Sequence, residues 1–352
     1  MSRAISHPIR ASSLTRALDV VGDRWTLLIL RDAFLGIRRF EQWQQHLRIA
    51  RQILADRLRG LVAGGLLTRA PYQAHPPRYD YRLTAMGRGL YPLALMIRRW
   101  ERHWGTGVDV IVGEMTLFHR SCRSRTEPRC VCGKCGEVVT AEQARFEHRS
   151  SEFGEPYLQL RRQRRSKVIS SKPPSHGLFV QDAIDVLGDR WAYLVLIAAF
   201  YRNLRFAELC RTLGIATNIL SDRLSRLTDA EILRHKASQG ETDGYEYALT
   251  EKGLDLFPVI VALSQWGNRW LRGSHKPPSA MYHLPCGSRL RARVVCDNCG
   301  DDLYSADVEY RRGRLVGRAT CKRRRRVVLL KPEADVAIAT RRSRSNRAES
   351  RP

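Results

Sequence analysis

Eight residues fall into two copies of one pattern suited to a metal ion. His119-x2-Cys122 is followed, nine residues on, by Cys132-x2-Cys135, and His283-x2-Cys286 is followed at the same spacing by Cys296-x2-Cys299. Short knuckles that each supply two ligands suit tetrahedral zinc, and thiolate with imidazole is an ordinary ligand set for it. The spacing predicts structural zinc in at least one copy, held in a small zinc-ribbon-like hairpin flanked by Val138-Val139 or Val294-Val295. Gly136, Gly287 and Gly300 follow knuckle cysteines and relieve backbone crowding there. Two other readings stay open, a plain reduced-thiol hairpin and a redox switch. A closed four-ligand site leaves no coordination position for catalysis. Cys130, Cys210 and Cys321 lack counterparts and read as incidental, Cys210 as a small core residue. An odd total of nine cysteines, six of them clustered, favours metal sites in a reducing compartment over a disulfide framework.

The second chemistry is that of a polyanion partner. The chain carries a formal net charge of +26, most of it arginine. Self-repulsion of that size makes sense when nucleic acid is a regular partner. Arginine offers a planar fork for phosphate oxygens and guanine edges. No run of apolar residues is long enough for a membrane span, and the N-terminal residues lack the apolar stretch of a secretory signal. No phosphate-binding glycine loop, nucleophile elbow or histidine-carboxylate zinc motif is present, so an enzyme is not expected.

The elements that position these residues are duplicated. Ala17-Leu18-Asp19-Val20-Val21-Gly22-Asp23-Arg24-Trp25 returns as Ala183-Ile184-Asp185-Val186-Leu187-Gly188-Asp189-Arg190-Trp191, an offset of 166. The same offset carries Ile53-Leu54-Ala55-Asp56-Arg57-Leu58 onto Ile219-Leu220-Ser221-Asp222-Arg223-Leu224, and Trp100 and Trp104 onto Trp266 and Trp270. An offset of 164 relates the two Cys/His patterns. Within the first copy, apolar periodicity predicts a helix from Ala11 to Gly22 and a core helix opening at Trp25. A short helix should run to Leu47, and a further helix from about Arg51 should stop at Gly64-Gly65. Leu66–Arg69 and Tyr79–Leu83 then read as two strands around a Pro76-Pro77 turn, before one long helix over 85–104 capped by Thr84. Helix, turn, helix and two-stranded wing is the winged helix-turn-helix order. The fold class expected is α+β, mainly helical, with two tandem winged helix-turn-helix domains and small zinc-ribbon-like hairpins.

Gly-Asp-Arg-Trp, the following Leu-Leu-Ile-Leu, Arg-Arg-Phe, Ile-Leu-Ala-Asp-Arg-Leu, Pro-Pro-Arg-Tyr-Asp-Tyr and Leu-Thr-Ala-Met-Gly together resemble the HxlR-type regulators, a branch of the MarR-like winged-helix proteins. The resemblance covers roughly residues 10–105 and 176–272. It implies a bacterial transcription regulator that sets two winged helices on a pseudo-palindromic operator. Family members are normally dimers of a single unit, so the fused second copy is a departure. Some sense oxidants through a cysteine just before the first helix, whereas this chain has Ala11-Ser12-Ser13 there.

On this reading the first recognition helix presents Arg51, Gln52, Arg57 and Arg59 to base edges and phosphates, with Arg78 at the wing tip and Arg39 on the backbone. The second offers Thr217, Asn218, Ser221 and Arg223, with Thr217 or Asn218 as a helix cap. Its wing carries Glu241, Asp243 and Glu246, so the first unit is expected to dominate affinity. The expected domains are a winged helix-turn-helix at 1–115, a zinc-ribbon-like hairpin at 116–145 and a basic linker at 146–178. A second winged helix-turn-helix at 179–275, a second hairpin at 276–312 and a basic, partly disordered tail at 313–352 follow. The partner expected is double-stranded DNA in a bacterial cytoplasm, at the nucleoid, bound by an intramolecular pseudo-dimer or a homodimer. Room for a small-molecule effector between the units is left open. The alternative from another class is a non-sequence-specific RNA-binding or nucleoid-associated protein.

Overall fold

The structure is a computed structural model that describes residues 13–105, 115–148, 181–201, 205–237, 245–271 and 279–312. The expected linker beyond residue 148, the tail from 313, wing residues 239–244 and Cys321 lie outside the described residues.

The first head contains α1 (Ser13–Val21), α2 (Arg24–Phe34), α3 (Phe40–Leu47), α4 (Arg51–Ala63), β1 (Leu67–Gln73), β2 (Arg78–Leu83), α5 (Ala85–Arg88) and α6 (Tyr91–Trp104). The Asp23 side chain caps α2, accepting from the amides of Trp25 and Thr26 at 3.1 Å each. Leu54, Leu58 and Leu61 of α4 are buried, which fixes the outward face of that helix. The long helix expected over 85–104 is two helices. Pro92 lies in the first turn of α6, the position where a missing N–H costs least, and Gly89-Leu90 makes the break.

The tail of the first repeat supplies β3 (Met115–His119), β4 (Ser124–Arg125), β5 (Arg129–Cys132) and β6 (Ala144–His148). The second head repeats the order as α7 (Gln181–Leu187), α8 (Arg190–Phe200), α9 (Phe206–Leu213), α10 (Thr217–Asp229), β7 (Leu233–Ala237), β8 (Tyr245–Leu249), α11 (Glu251–Leu254) and α12 (Phe257–Trp270). Its tail holds β9 (Ser279–His283), a 3-10 turn at Leu284–Cys286, β10 (Ala292–Val295) and β11 (Val308–Arg312). No helix among the described residues is long and apolar enough to cross a membrane.

The two heads meet reciprocally. α1 packs on α12, α7 packs on α6, and α6 packs on α12. Trp100 Nε1 donates to the Lys252 carbonyl at 2.9 Å, and Trp266 Nε1 donates to the Met86 carbonyl at 3.0 Å. Arg24 pairs with Asp185 at 2.5 Å, and Arg190 pairs with Asp19. Each contact recurs with the repeats exchanged, as in a two-fold dimer interface. One pair has diverged. The buried Glu101 carboxylate accepts from the Ala183 and Asp182 amides at 2.7 and 3.2 Å, capping α7. At the equivalent Gly267, a Cβ would lie 2.5 Å from the Ser13 carbonyl oxygen, so α1 sits directly on the α12 backbone.

The tails do not fold as one hairpin per repeat. β11 pairs antiparallel with β3, β6 with β9, and β10 with β5, so each of these ladders joins one repeat to the other. His119 lies opposite Val308, and His283 lies opposite Ala144.

Candidate metal centres and nucleic-acid interface

This strand exchange re-sorts the eight metal-ligating candidates. His119 and Cys122 converge with Cys296 and Cys299, while Cys132 and Cys135 converge with His283 and Cys286. The expectation of a site within one repeat is therefore corrected, because each cluster draws two ligands from either repeat. Their ligand atoms lie within 4.8 Å of one another. In the first cluster His119 Nδ1 is 3.4 Å from both the Cys122 and Cys299 sulfurs, and Cys122 Sγ is 3.8 Å from Cys296 Sγ. In the second, His283 Nδ1 is 3.3 Å from Cys135 Sγ and 3.5 Å from Cys286 Sγ, and Cys132 Sγ is 3.8 Å from Cys286 Sγ. Bonds of about 2.3 Å to sulfur and about 2.0–2.1 Å to nitrogen give a tetrahedral zinc site S···S edges of about 3.8 Å and N···S edges of about 3.5 Å. The three edges given for each cluster fit those lengths, and thiolate with imidazole is the matching donor set.

Local backbone supports the same chemistry. The Gly136 amide donates to the Cys132 carbonyl at 2.8 Å and the Gly300 amide to the Cys296 carbonyl at 3.0 Å, closing two tight turns. The residue after the second ligand of every knuckle has positive φ: Arg123 at 54°, Gly136 at 80°, Gly287 at 64° and Gly300 at 76°. Donors from the Ser288 backbone and His283 pull the Cys286 thiol down to about 6, towards the thiolate a metal needs. Burial opposes ionisation of Cys296, but the Thr126 hydroxyl and the Cys299 and Asn298 amides outweigh it and bring it also to about 6. The partner ligands move the other way: the Asp301 amide favours the Cys299 thiolate, yet burial and hydrogen bonds to Cys296 and Cys122 hold it up at about 11, and Cys135 is likewise raised beside Cys132 and Cys286. The Cys296–Cys299 knuckle is tied to the other repeat, since Asp297 accepts from the Thr126 hydroxyl and the Glu127 amide at 3.0 Å each. Cys130 is buried in β5 and pushed up to about 12 by desolvation, so it stays an inert thiol.

On α4, Arg51, Gln52, Asp56 and Arg59 are exposed, and Arg78 is exposed at the start of β2. The Arg51 guanidinium lies over the Phe40 ring at 5.2 Å. Gln52 and Arg59 both donate to Asp56, at 3.1 and 2.9 Å. Thr217, Asn218 and Ser221 are exposed on the matching face of α10. Neither Thr217 nor Asn218 caps that helix, whose N-cap is Ala216 with no side-chain bond.

Three of the expected DNA contacts also hold acidic partners within the chain. Arg57 pairs with the α2 cap Asp23 at 3.0 Å, and its equivalent Arg223 pairs with the α8 cap Asp189 at 2.8 Å. Arg39 pairs with Asp80 at 3.3 Å and stacks on Tyr72, fastening the wing to the start of α3. Arg205 and Glu246 make the same clasp in the second head at 2.8 Å, so Glu246 is bound to a cation rather than set against phosphate.

Comparison with known proteins agrees with this architecture. The model of the HxlR-like helix-turn-helix family matches residues 20–108 and again residues 186–275. An uncharacterised HTH-type transcriptional regulator of Mycobacterium tuberculosis is 42% identical over 137 residues, which is 39% of this chain and 85% of that protein. The uncharacterised HTH-type transcriptional regulator YdeP of Bacillus subtilis is 30% identical over 93 residues, 26% of this chain and 73% of its own length. A similar regulator of Synechocystis is 33% identical over 92 residues, 26% of this chain and 68% of its own length.

Proposed function

Because the chain belongs to the HxlR-like helix-turn-helix family and carries the family domain twice, we propose that it is a single-chain counterpart of a dimeric regulator, reading a pseudo-palindromic duplex DNA operator. The chain is a transcriptional regulator with helix-turn-helix DNA-binding domains. The observation that carries the operator reading is the reciprocal head interface, which holds two equivalent helices, α4 and α10, with exposed polar N-terminal faces. In this reading Arg51 and Gln52 contact base edges, and Arg59 and Arg78 contact phosphates. The Arg59–Asp56 pair is exposed, worth about 0–1 kcal/mol, and is readily exchanged for a phosphate. Thr217, Asn218 and Ser221 read the second half-site with less charge. Arg39, Arg57 and Arg223, each paired with an acid of its own head, flank these faces and contact the DNA in the same reading. The protein works on DNA in the bacterial cytoplasm, at the nucleoid.

We further propose that each Cys/His cluster holds structural zinc. His119, Cys122, Cys296 and Cys299 would hold one ion, and Cys132, Cys135, His283 and Cys286 the other. Bound zinc neutralises the thiolates and joins the two repeats, and four protein ligands close the site to substrate.

Selection of sites from random duplex DNA by the full-length protein, at near-physiological salt, tests the operator reading. The expected motif has two unequal half-sites about one helical turn (about 10 bp) apart. Arg51→Ala should relax discrimination at a single base position by about 1–3 kcal/mol without changing the melting temperature. Binding that enriches no sequence and fades with salt alone would overturn the reading in favour of non-specific nucleic-acid association.

A further inference from the structure

We propose that the two Cys/His clusters hold zinc unequally, and that the cluster of Cys132, Cys135, His283 and Cys286 releases its ion first, so that the zinc level acts on the second head. This rests on the structural-zinc reading and gives it a direction. The duplication supplies an internal control, because the two clusters have equivalent ligands in different surroundings.

The first difference is at the histidines. His119 and His283 both turn Nδ1 towards the sulfurs, so a bound metal leaves the ring proton on Nε2. A metal-bound imidazole ordinarily donates that N–H to a carboxylate, a carbonyl or water, which orients the ring and raises its basicity. His283 is fully buried, and its Nε2 is sealed from solvent with no hydrogen-bond partner. His119 Nε2 has no such deficit. Loss of an outer partner of this kind lowers metal affinity about 10–100-fold.

The second difference is at the knuckles. Asp297 and Asn298 stand between Cys296 and Cys299, where the other cluster has Gly133 and Lys134. Asp297 accepts from the Thr126 hydroxyl and the Glu127 amide at 3.0 Å each, and Asn298 Nδ2 donates to the Arg125 carbonyl. These side-chain bonds hold two ligands of the first cluster in place from the opposite repeat. Gly133 offers only its amide, which donates to the Arg291 carbonyl at 2.7 Å, and Lys134 is exposed. A Cβ on Gly133 would lie 2.7 Å from that carbonyl oxygen, so no larger side chain can restore the clamp there.

The less supported cluster is the one built onto the second head. His283 lies opposite Ala144 on β6. Phe146, two residues along that strand, stacks on Tyr201 at 4.3 Å between ring centres and meets Phe257 edge-on at 6.1 Å. Tyr201 closes α8 and Phe257 opens α12, so the strand facing His283 also props both helices. His119 instead lies opposite Val308 on β11, whose Tyr310 lines the space between α2 and α6 of the first head. Loss of the second cluster's ion therefore loosens β6 and the helix ends that it props, and leaves the first head as it was.

Graded chelator competition on the full-length protein carrying two zinc ions, read by chelator absorbance and by hydrogen exchange, tests this without DNA. Two release steps are expected, with dissociation constants at least about tenfold apart. Cys135→Ser should remove the weaker step and Cys299→Ser the tighter one. Asp297→Ala should weaken the tighter step about fivefold or more. With one ion released, amides in peptides spanning Phe146 and Tyr201 should exchange faster, while those of β11 should not. The parent chain alone carries that last readout, so it stands even where a cysteine variant fails to fold. A single release step, a tighter step lost in Cys135→Ser, indifference to Asp297→Ala, or unchanged exchange around Phe146 and Tyr201 would each overturn the proposal and leave the zinc reading intact. A full-length chain that binds no zinc would overturn the zinc reading, and this inference with it.

Discussion

Pairs of cysteine substitutions separate the crossed ligand sets from sets confined to one repeat. Cys122 and Cys296 lie 3.8 Å apart in one cluster, and Cys132 belongs to the other with Cys286. Cys122→Ser with Cys296→Ser removes half the ligands of one site and leaves the second site complete. Cys122→Ser with Cys132→Ser removes one thiolate from each site and leaves none complete. Zinc content of the dialysed full-length protein should therefore fall from two ions to one in the first double variant and towards zero in the second. Structural zinc contributes on the order of 10–16 kcal/mol to the folding of small domains, so the losses should also register in urea unfolding. Within one site the second substitution adds little to the first, so the coupling approaches the full cost of either single variant. Between sites the costs should add. If the Cys122/Cys132 double variant keeps one ion while the Cys122/Cys296 variant keeps none, the ligands close within repeats and the crossed assignment is refuted.

Three further perturbations follow from differences between the repeats. Arg48, Arg123 and Glu231 have positive φ, and the other repeat places Gly214, Gly287 and Gly65 at the equivalent positions. Arg48→Gly, Arg123→Gly and Glu231→Gly should each stabilise by about 0.5–1 kcal/mol, the relief of left-handed backbone less the added freedom of the unfolded chain; a lower urea midpoint in all three would refute this. Gly267→Ala drives a Cβ against the Ser13 backbone and should destabilise by about 1–3 kcal/mol, whereas an unchanged melting temperature would mean that α1 does not sit on α12. Burial raises Glu101 above the ordinary carboxylate range, against the lowering effect of the Ala183 and Asp182 amides. A raised folded pKa gives stability that is present below the unfolded value and lost as pH rises through the folded one. Glu101→Gln should therefore gain on the parent chain as pH rises from about 4 to about 8, measured as the difference in urea midpoints so that metal loss at low pH cancels; an advantage that shrinks with pH would refute it.

The heads were legible because their signals are local and occur twice. Apolar spacing, the Asp23 and Asp189 caps and the Thr84 and Thr250 caps all stand where the elements begin. The split of the last helix was signalled by Pro92. Pairing of the knuckles was not legible, because residue spacing is the same whether a cluster closes within a repeat or across. The difference lies in the β3–β11, β6–β9 and β5–β10 ladders, which join residues far apart in the chain. The role of Arg57 could have been read from co-recurrence. Asp23 with Arg57 returns as Asp189 with Arg223, and a pair kept together across a duplication is explained by mutual contact.

Fusion also explains why the two halves can differ at all. In a homodimer every substitution is made twice, so a change useful on one side is imposed on the other. Here the head contacts needed by both halves stay reciprocal, as Trp100 and Trp266 show. Nearby, Trp104 Nε1 donates to Asp255 at 2.9 Å, whereas the equivalent Trp270 Nε1 is buried with no hydrogen-bond partner. Gly89 stands opposite it, and a Cβ there would lie 2.8 Å from that nitrogen. A lost bond of this kind costs about 1–3 kcal/mol, a large share of the stability of a freely dissociating dimer. A covalent connection, with strands exchanged between the tails, holds the halves at high effective concentration and lets the interface absorb the loss. The same tolerance permits Arg98 and Ala94 on one side and Ser264 and Ile260 on the other.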